Sequence, residues 1–250
     1  MIEWCDARPH VDVDPAAYDR LLGYPPGVAP DGRARELADM AIAWFAEHGR
    51  PWVYVREVGT LTVNGAAVAL DGATFTAKRL ARMLRADALG AVLVAASAGP
   101  ELEREAAARW KDERPDEYFF LEALGSAVVE RLLVDTGARL CAWAEPRQAA
   151  VLPHDSPGYA GWNVAEQCDL LALARRTTTA EWPGPLEALD SGALRPKKSA
   201  LAVFGLVCQS GEGAGRATSV PCHNCPAASC HYRRAPYRFV SPSCQTPSRP

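Results

Sequence analysis

The chain has no surplus of positive charge. Its 27 Lys and Arg residues stand against 30 Asp and Glu, for a net charge of −3. That balance excludes a broad electrostatic draw toward polyanions, so no nucleic-acid partner is expected. No apolar run approaches the roughly 18 residues of a membrane-spanning helix, so no membrane partner is expected either. The opening residues, Met1-Ile2-Glu3-Trp4-Cys5-Asp6, lack the basic and apolar regions of a secretory signal, which makes the cytoplasm the expected location. No internal repeat is present. The glycine-rich run Gly211-Glu212-Gly213-Ala214-Gly215-Arg216 lacks the Gly-Lys-Ser/Thr ending and the following helix of a phosphate loop, and reads as a flexible linker. What remains is a 250-residue chain that is 48% apolar and 23% charged, the composition of a globular domain with room for a large core.

Periodicity organises most of it. Leu37, Met40, Ala41, Trp44 and Phe45 recur at helical spacing, which predicts an amphipathic helix from Arg35 to His48, stopped by Gly49-Arg50-Pro51. Trp52 to Val58 reads as a strand, and Thr60 to Leu70 as a hairpin around Asn64-Gly65, a pair suited to a type I′ turn. Thr76 is placed to cap a helix running to about Arg85, Ala91 to Ala96 reads as a short strand, and Pro100 as the first residue of a helix. Asp116 to Thr136 predicts a long helix, apolar on several sides and ended by Gly137, with Gly125 set for close packing against another backbone. Asn163 and Glu166 have the spacing of a capping box for a helix to about Arg175, and Leu201 to Cys208 reads as a strand. Strands and helices do not alternate regularly. The expected fold is therefore α+β, with a twisted, largely antiparallel sheet and packed helices. A boundary is expected near Gly211, between a domain over 1–210 and a Gly/Pro/Cys-rich tail over 211–250.

The most informative stretch is His154-Asp155-Ser156-Pro157-Gly158-Tyr159-Ala160-Gly161-Trp162. Pro157 fixes its own φ and biases Ser156 toward an extended backbone, Gly158 is free to take a positive φ, and Tyr159 adds a flat face with a hydroxyl. From these residues alone the stretch is either a cradle for a planar polar ligand or an ordinary Pro-Gly turn with a packed Tyr. The wider context resembles the activation domain of cobalamin-dependent methionine synthase. The resemblance rests on Ser-Pro-Gly-Tyr with its following helix and on Leu21-Leu22-Gly23-Tyr24. It also rests on Thr76–Ala81 with Ala91–Glu103, Leu121–Glu130, and Leu194–Leu206, in that order over residues 18 to 207.

That resemblance implies an S-adenosylmethionine (AdoMet) site built from His154, Ser156, Pro157, Gly158 and Tyr159, with Glu130 of the central helix as an acidic contact. His154 stands where the family has an Arg that helps hold the methionine end. The implied chemistry is reductive methylation. A redox partner, such as a flavodoxin-like electron donor, reduces the cobalt of an inactive cobalamin, and AdoMet methylates it. The chain has no modules for homocysteine, folate or cobalamin, so the expectation is a stand-alone reactivation subunit. It would serve a corrinoid-binding protein or a methionine synthase core, with cobalamin presented by that partner. The alternative is a non-catalytic partner-binding protein with a degenerate AdoMet site and a zinc or iron–sulfur Cys cluster, and a third class is an unrelated small-metal or thiol redox protein.

Five of the eight cysteines, Cys208, Cys222, Cys225, Cys230 and Cys244, crowd the last 43 residues, while Cys5, Cys141 and Cys168 are scattered. Cys222-x-x-Cys225-x4-Cys230, with Cys208, Cys244 or His231 as a fourth ligand, suits tetrahedral zinc or an iron–sulfur cluster. Redox-active or free thiols and incidental cysteines are the other readings. The expected metal set is Cys222, Cys225, Cys230 and Cys208.

Overall fold

The structure is a computed structural model that describes residues 1–25, 27–84, 88–176 and 181–208. Two ten-residue strands form its centre, β6 (Ala88–Ser97) and β10 (Ser199–Cys208), paired antiparallel. Both are buried along most of their length, because the sheet is covered on both faces. β2 (Trp52–Glu57) pairs with the other side of β6, and the edges are β1 (Glu3–Asp6) beside β2 and β7 (Ala149–Val151) beside β10. The order is β1-β2-β6-β10-β7, antiparallel at every pairing. The expected α+β class with an antiparallel sheet is what the chain adopts.

Strand alternation sorts the side chains into two cores. Val53, Val55, Val92, Val94, Ala202 and Phe204 belong to one. Trp52, Tyr54, Leu93, Ala95, Leu201 and Val203 belong to the other. The described helices are α1 (Pro15–Leu21), α2 (Gly32–His48), α3 (Lys78–Leu84), α4 (Pro100–Lys111), α5 (Pro115–Ala144) and α6 (Gln167–Arg176). Residues of α1, α2, α4 and α5 complete the first core, and residues of α3 and α6 complete the second. A small sheet of β3 (Leu61–Asn64), β4 (Ala67–Leu70) and β5 (Ala73–Phe75) joins the second layer.

Several local expectations are corrected by packing. The long helix does not end at Gly137 but runs for 30 residues to Ala144. Leu140 and Ala144 are fully buried, so their packing carries the helix past a weak residue. Gly137 instead makes room for the sheet: a Cβ there would lie 3.3 Å from Phe204 Cε1. At Gly125 the close approach comes from side chains rather than backbone, since a Cβ would lie 2.4 Å from Leu102 Cδ2 and 2.7 Å from Lys198 Cγ. In the hairpin, Asn64 pairs with Ala67, so the loop is Gly65-Ala66. Only Gly65 has a positive φ (61°), the pattern of a type II′ turn rather than I′.

The second layer is tied to the main sheet by a partly buried ion pair. Arg56 Nη1 of β2 lies 2.8 Å from Asp71 Oδ2 in the turn after β4, and Arg56 Nη2 donates to the Leu173 carbonyl of α6. Asp71 Oδ1 accepts the Thr60 N–H at 2.8 Å. Burial by itself raises the Asp71 carboxyl pKa, but the hydrogen bonds from Arg56 and Thr60 and the Arg56 charge outweigh it and hold it below its ordinary value.

Candidate functional site

After α5 the chain comes back along β10. β7 pairs with the end of β10, the Leu152 N–H donates to the Gly205 carbonyl, and Asp155 exchanges both backbone hydrogen bonds with Val203 (2.9 and 2.8 Å). Residues 152–155 therefore continue the strand edge, and consecutive side chains point to opposite faces. His154 turns toward the first core, its ring 5.3 Å from that of Phe204. Asp155 turns toward α3 and is completely buried. Its Oδ1 accepts from Arg79 Nη1 and its Oδ2 from the Leu80 N–H, both at 3.1 Å. Arg79 Nη1 also reaches the His154 carbonyl at 3.3 Å. Burial pushes the Asp155 carboxyl pKa up; the Arg79 charge and the backbone N–H groups pull it down without fully offsetting the desolvation.

Residues through Pro157 are buried, and Gly158–Gly161 form the exposed tip. The tip is tied back on itself. Tyr159 N–H donates to the Ser156 carbonyl, Gly158 N–H to the Trp162 carbonyl and Trp162 N–H to the Tyr159 carbonyl, at 2.9–3.0 Å. Gly158 has a φ of 93°, a conformation that L side chains rarely adopt, whereas the space around it is open enough for a Cβ. The far end is pinned where the Gly161 carbonyl accepts the Lys78 N–H at the start of α3. Trp162 is buried against Phe75, and its Nε1 donates to Glu166 Oε2 at 2.8 Å. Asn163 does cap, accepting the Ala165 N–H, but the turn it starts is 3-10 and α6 begins only at Gln167. Glu166 does not close a capping box: its carboxylate takes the Trp162 indole and the Thr76 N–H. Thr76 thus spends its N–H on this clamp, two residues before α3.

The structure brings His154, Ser156, Pro157, Gly158 and Tyr159 together in one braced turn. His154 Nε2 is 3.1 Å from the Tyr159 hydroxyl, and the Tyr159 ring is 37% exposed. The turn offers an aromatic face beside exposed main chain. Glu130 sits on α5 in an ion pair with Arg20 of α1 at 3.5 Å. It lies seven residues, about 10 Å along the helix axis, from Gly137, where α5 meets Phe204. Cys208 is exposed at the end of β10, opposite Ala149. Cys222, Cys225 and Cys230 lie outside the described residues. Among the described residues no group of three His, Cys, Asp or Glu is arranged to hold a metal, and no helix is long and apolar enough to cross a membrane.

Arg79 and Asp155 are buried neighbours of the turn that the sequence reading did not name as site residues. Asp155 carried a signal, an acid set between two prolines after an apolar run; Arg79, 76 residues away, carried none. A cleft of about 740 Å³ between the segment 8–13 and the end of α2 is lined by none of the expected site residues.

No protein-family profile matches the chain, and no curated protein does. Among solved structures it is similar to the MetH reactivation domain bound to AdoHcy, with 13% sequence identity and a TM-score of 0.56, over 81% of this chain and 76% of that one. At that identity the likeness is one of fold, an antiparallel sheet with helices packed around it, and it extends over most of both chains.

Proposed function

We propose that this chain is an AdoMet-binding reactivation module that supports reductive methylation of a corrinoid protein, a methionine synthase core or a related corrinoid methyltransferase. The observation that carries this reading is the fold likeness to a domain solved with AdoHcy bound, over 81% of this chain. The braced Ser-Pro-Gly-Tyr turn supports it. AdoMet supplies an electrophilic methyl group, and cobalamin is brought by the partner. The work left to this chain is to hold the ligand, aim its methyl group outward and exclude water. None of that needs a general acid, a general base or a protein nucleophile. Tyr159 contributes an aromatic face, which attracts a sulfonium cation or stacks on adenine. Ser156, Pro157 and Gly158 contribute a backbone whose shape is set before the ligand arrives.

Isothermal titration of the full chain with AdoMet and AdoHcy tests this. Saturable binding that Tyr159→Ala weakens supports the reading, and titration against corrinoid proteins then identifies the partner. Absence of binding at millimolar ligand, with the protein folded, overturns it. The chain would then be a non-catalytic partner-binding protein with a degenerate AdoMet site.

We also propose that 211–250 is a unit separate from 1–210, and that Cys222, Cys225 and Cys230, with Cys208 as fourth ligand, hold zinc or an iron–sulfur cluster. A flavodoxin-like electron donor is the proposed redox partner. Metal and sulfide analysis of anaerobically prepared protein, beside a Cys222→Ser/Cys225→Ser variant, tests the site. A metal content that the substitutions do not lower removes it.

A further inference from the structure

We propose that His154 is a positioning residue that presets the orientation of Tyr159, and that it does not contact the ligand itself. The inference rests on the AdoMet reading above and adds to it a division of labour within the turn.

The two residues are held very differently. His154 is buried, at 6% exposure, whereas Tyr159 stands on the exposed tip at 37%. The backbone at His154 is locked from both directions. Its carbonyl accepts from Arg79, and the next residue is bonded on both sides to Val203. The imidazole has Phe204 beside it, its ring centroid 5.3 Å away. Phe204 in turn lies under Gly137 of α5, where a Cβ would come within 3.3 Å. The histidine is thus a fixed point, backed by a strand and a helix.

Tyr159 follows Gly158, whose φ is positive, and its 37% exposure at the tip leaves ring surface for a ligand to cover. The hydrogen bond between its hydroxyl and His154 Nε2, at 3.1 Å, selects one ring orientation before the ligand arrives. That lowers the ordering cost of binding. The same bond occupies the imidazole nitrogen that would otherwise turn toward a ligand carboxylate. Position 154 therefore acts through Tyr159, and ligand contact falls to the tyrosine ring and the neighbouring backbone.

The test is a double-mutant cycle on the full chain, read by isothermal titration with AdoHcy, with thermal melts to verify that each variant is folded. Tyr159→Phe keeps the ring and removes the hydroxyl. His154→Phe keeps packing against Phe204 and removes the hydrogen-bonding nitrogen, and His154→Gln restores a hydrogen-bonding group. Each of the first two is expected to weaken AdoHcy binding about three- to tenfold, the worth of one hydrogen bond. The double variant is expected to bind no more weakly than the poorer single variant, and His154→Gln to recover most of the loss. Losses that multiply in the double variant overturn the assignment, as does His154→Phe weakening binding while Tyr159→Phe does not. An unmodified chain that binds no AdoHcy overturns the ligand reading and this assignment together; multiplied losses in a chain that does bind overturn the assignment alone.

Discussion

At the scale of single residues, the decisive feature is one buried carboxylate. Asp155 is fully buried and is held by Arg79 and two backbone N–H groups. Pairs of this kind contribute little net stability when intact but cost heavily when one partner is removed. Arg79→Met is expected to lower stability by about 3–5 kcal/mol, read from the urea midpoint. The pH dependence has a definite sign. Asp155 titrates above its ordinary value of 3.8, so the folded chain keeps this proton to higher pH than the unfolded chain does. Its contribution is full below that value and is lost as pH rises through the raised folded pKa. Arg79→Met removes the opposing charge and pushes the carboxyl further up, so the deficit of the variant should grow from about pH 4 upward. The sequence displays the Pro-Gly turn plainly, because φ restriction is a local property. It does not display the guanidinium that neutralises the turn from 76 residues away.

Among elements, α5 and its neighbours show how packing overrules propensity. Gly125 of α5 faces Leu102 of α4 at a distance that leaves no room for a methyl group. Gly125→Ala gains about 1 kcal/mol of helix propensity and incurs about 1–3 kcal/mol of overpacking. A net loss of up to about 2 kcal/mol is expected in denaturant unfolding. A gain in stability would show that α4 moves aside without cost. The link from β2 to the small sheet has the opposite pH signature to Asp155. Asp71 is held below 3.8, so its contribution is present above that value and is lost as pH falls through its lowered folded pKa. Thermal melts down an acid series should show this slope flattened in Asp71→Asn. Helix α2, the strand at Trp52 and the helix starting at Pro100 were all legible in the sequence, since amphipathic spacing and a proline at the first turn are local signals. The end of α5 was not, because a buried Leu140 and Ala144 outweigh the glycine that reads as a stop.

For the whole molecule, the central observation is a sheet buried on both faces, with the Ser-Pro-Gly-Tyr turn carried at its β7–β10 edge. If the turn holds AdoHcy, binding to the folded state alone stabilises it by about 2.7 kcal/mol at a hundredfold excess over Kd. For a chain of this size that corresponds to a rise in Tm of roughly 5 to 10 °C. Absence of any rise at saturating AdoHcy counts against the proposed site. The sequence by itself determined the main helices and the central strands, the α+β class and the backbone character of the turn, because hydrophobic period, φ restriction and turn chemistry act over a few residues. It also brought out the ordered motifs that resemble an activation domain. Tertiary structure alone decided what those residues touch: Arg79 beneath Asp155, Phe204 beneath His154, His154 bonded to Tyr159, and Glu130 turned to Arg20. The physical reason is that burial and pairing depend on which strands and helices meet across the sheet. Arg79, Asp155 and Val203 become neighbours only when α3 and β10 close around the turn.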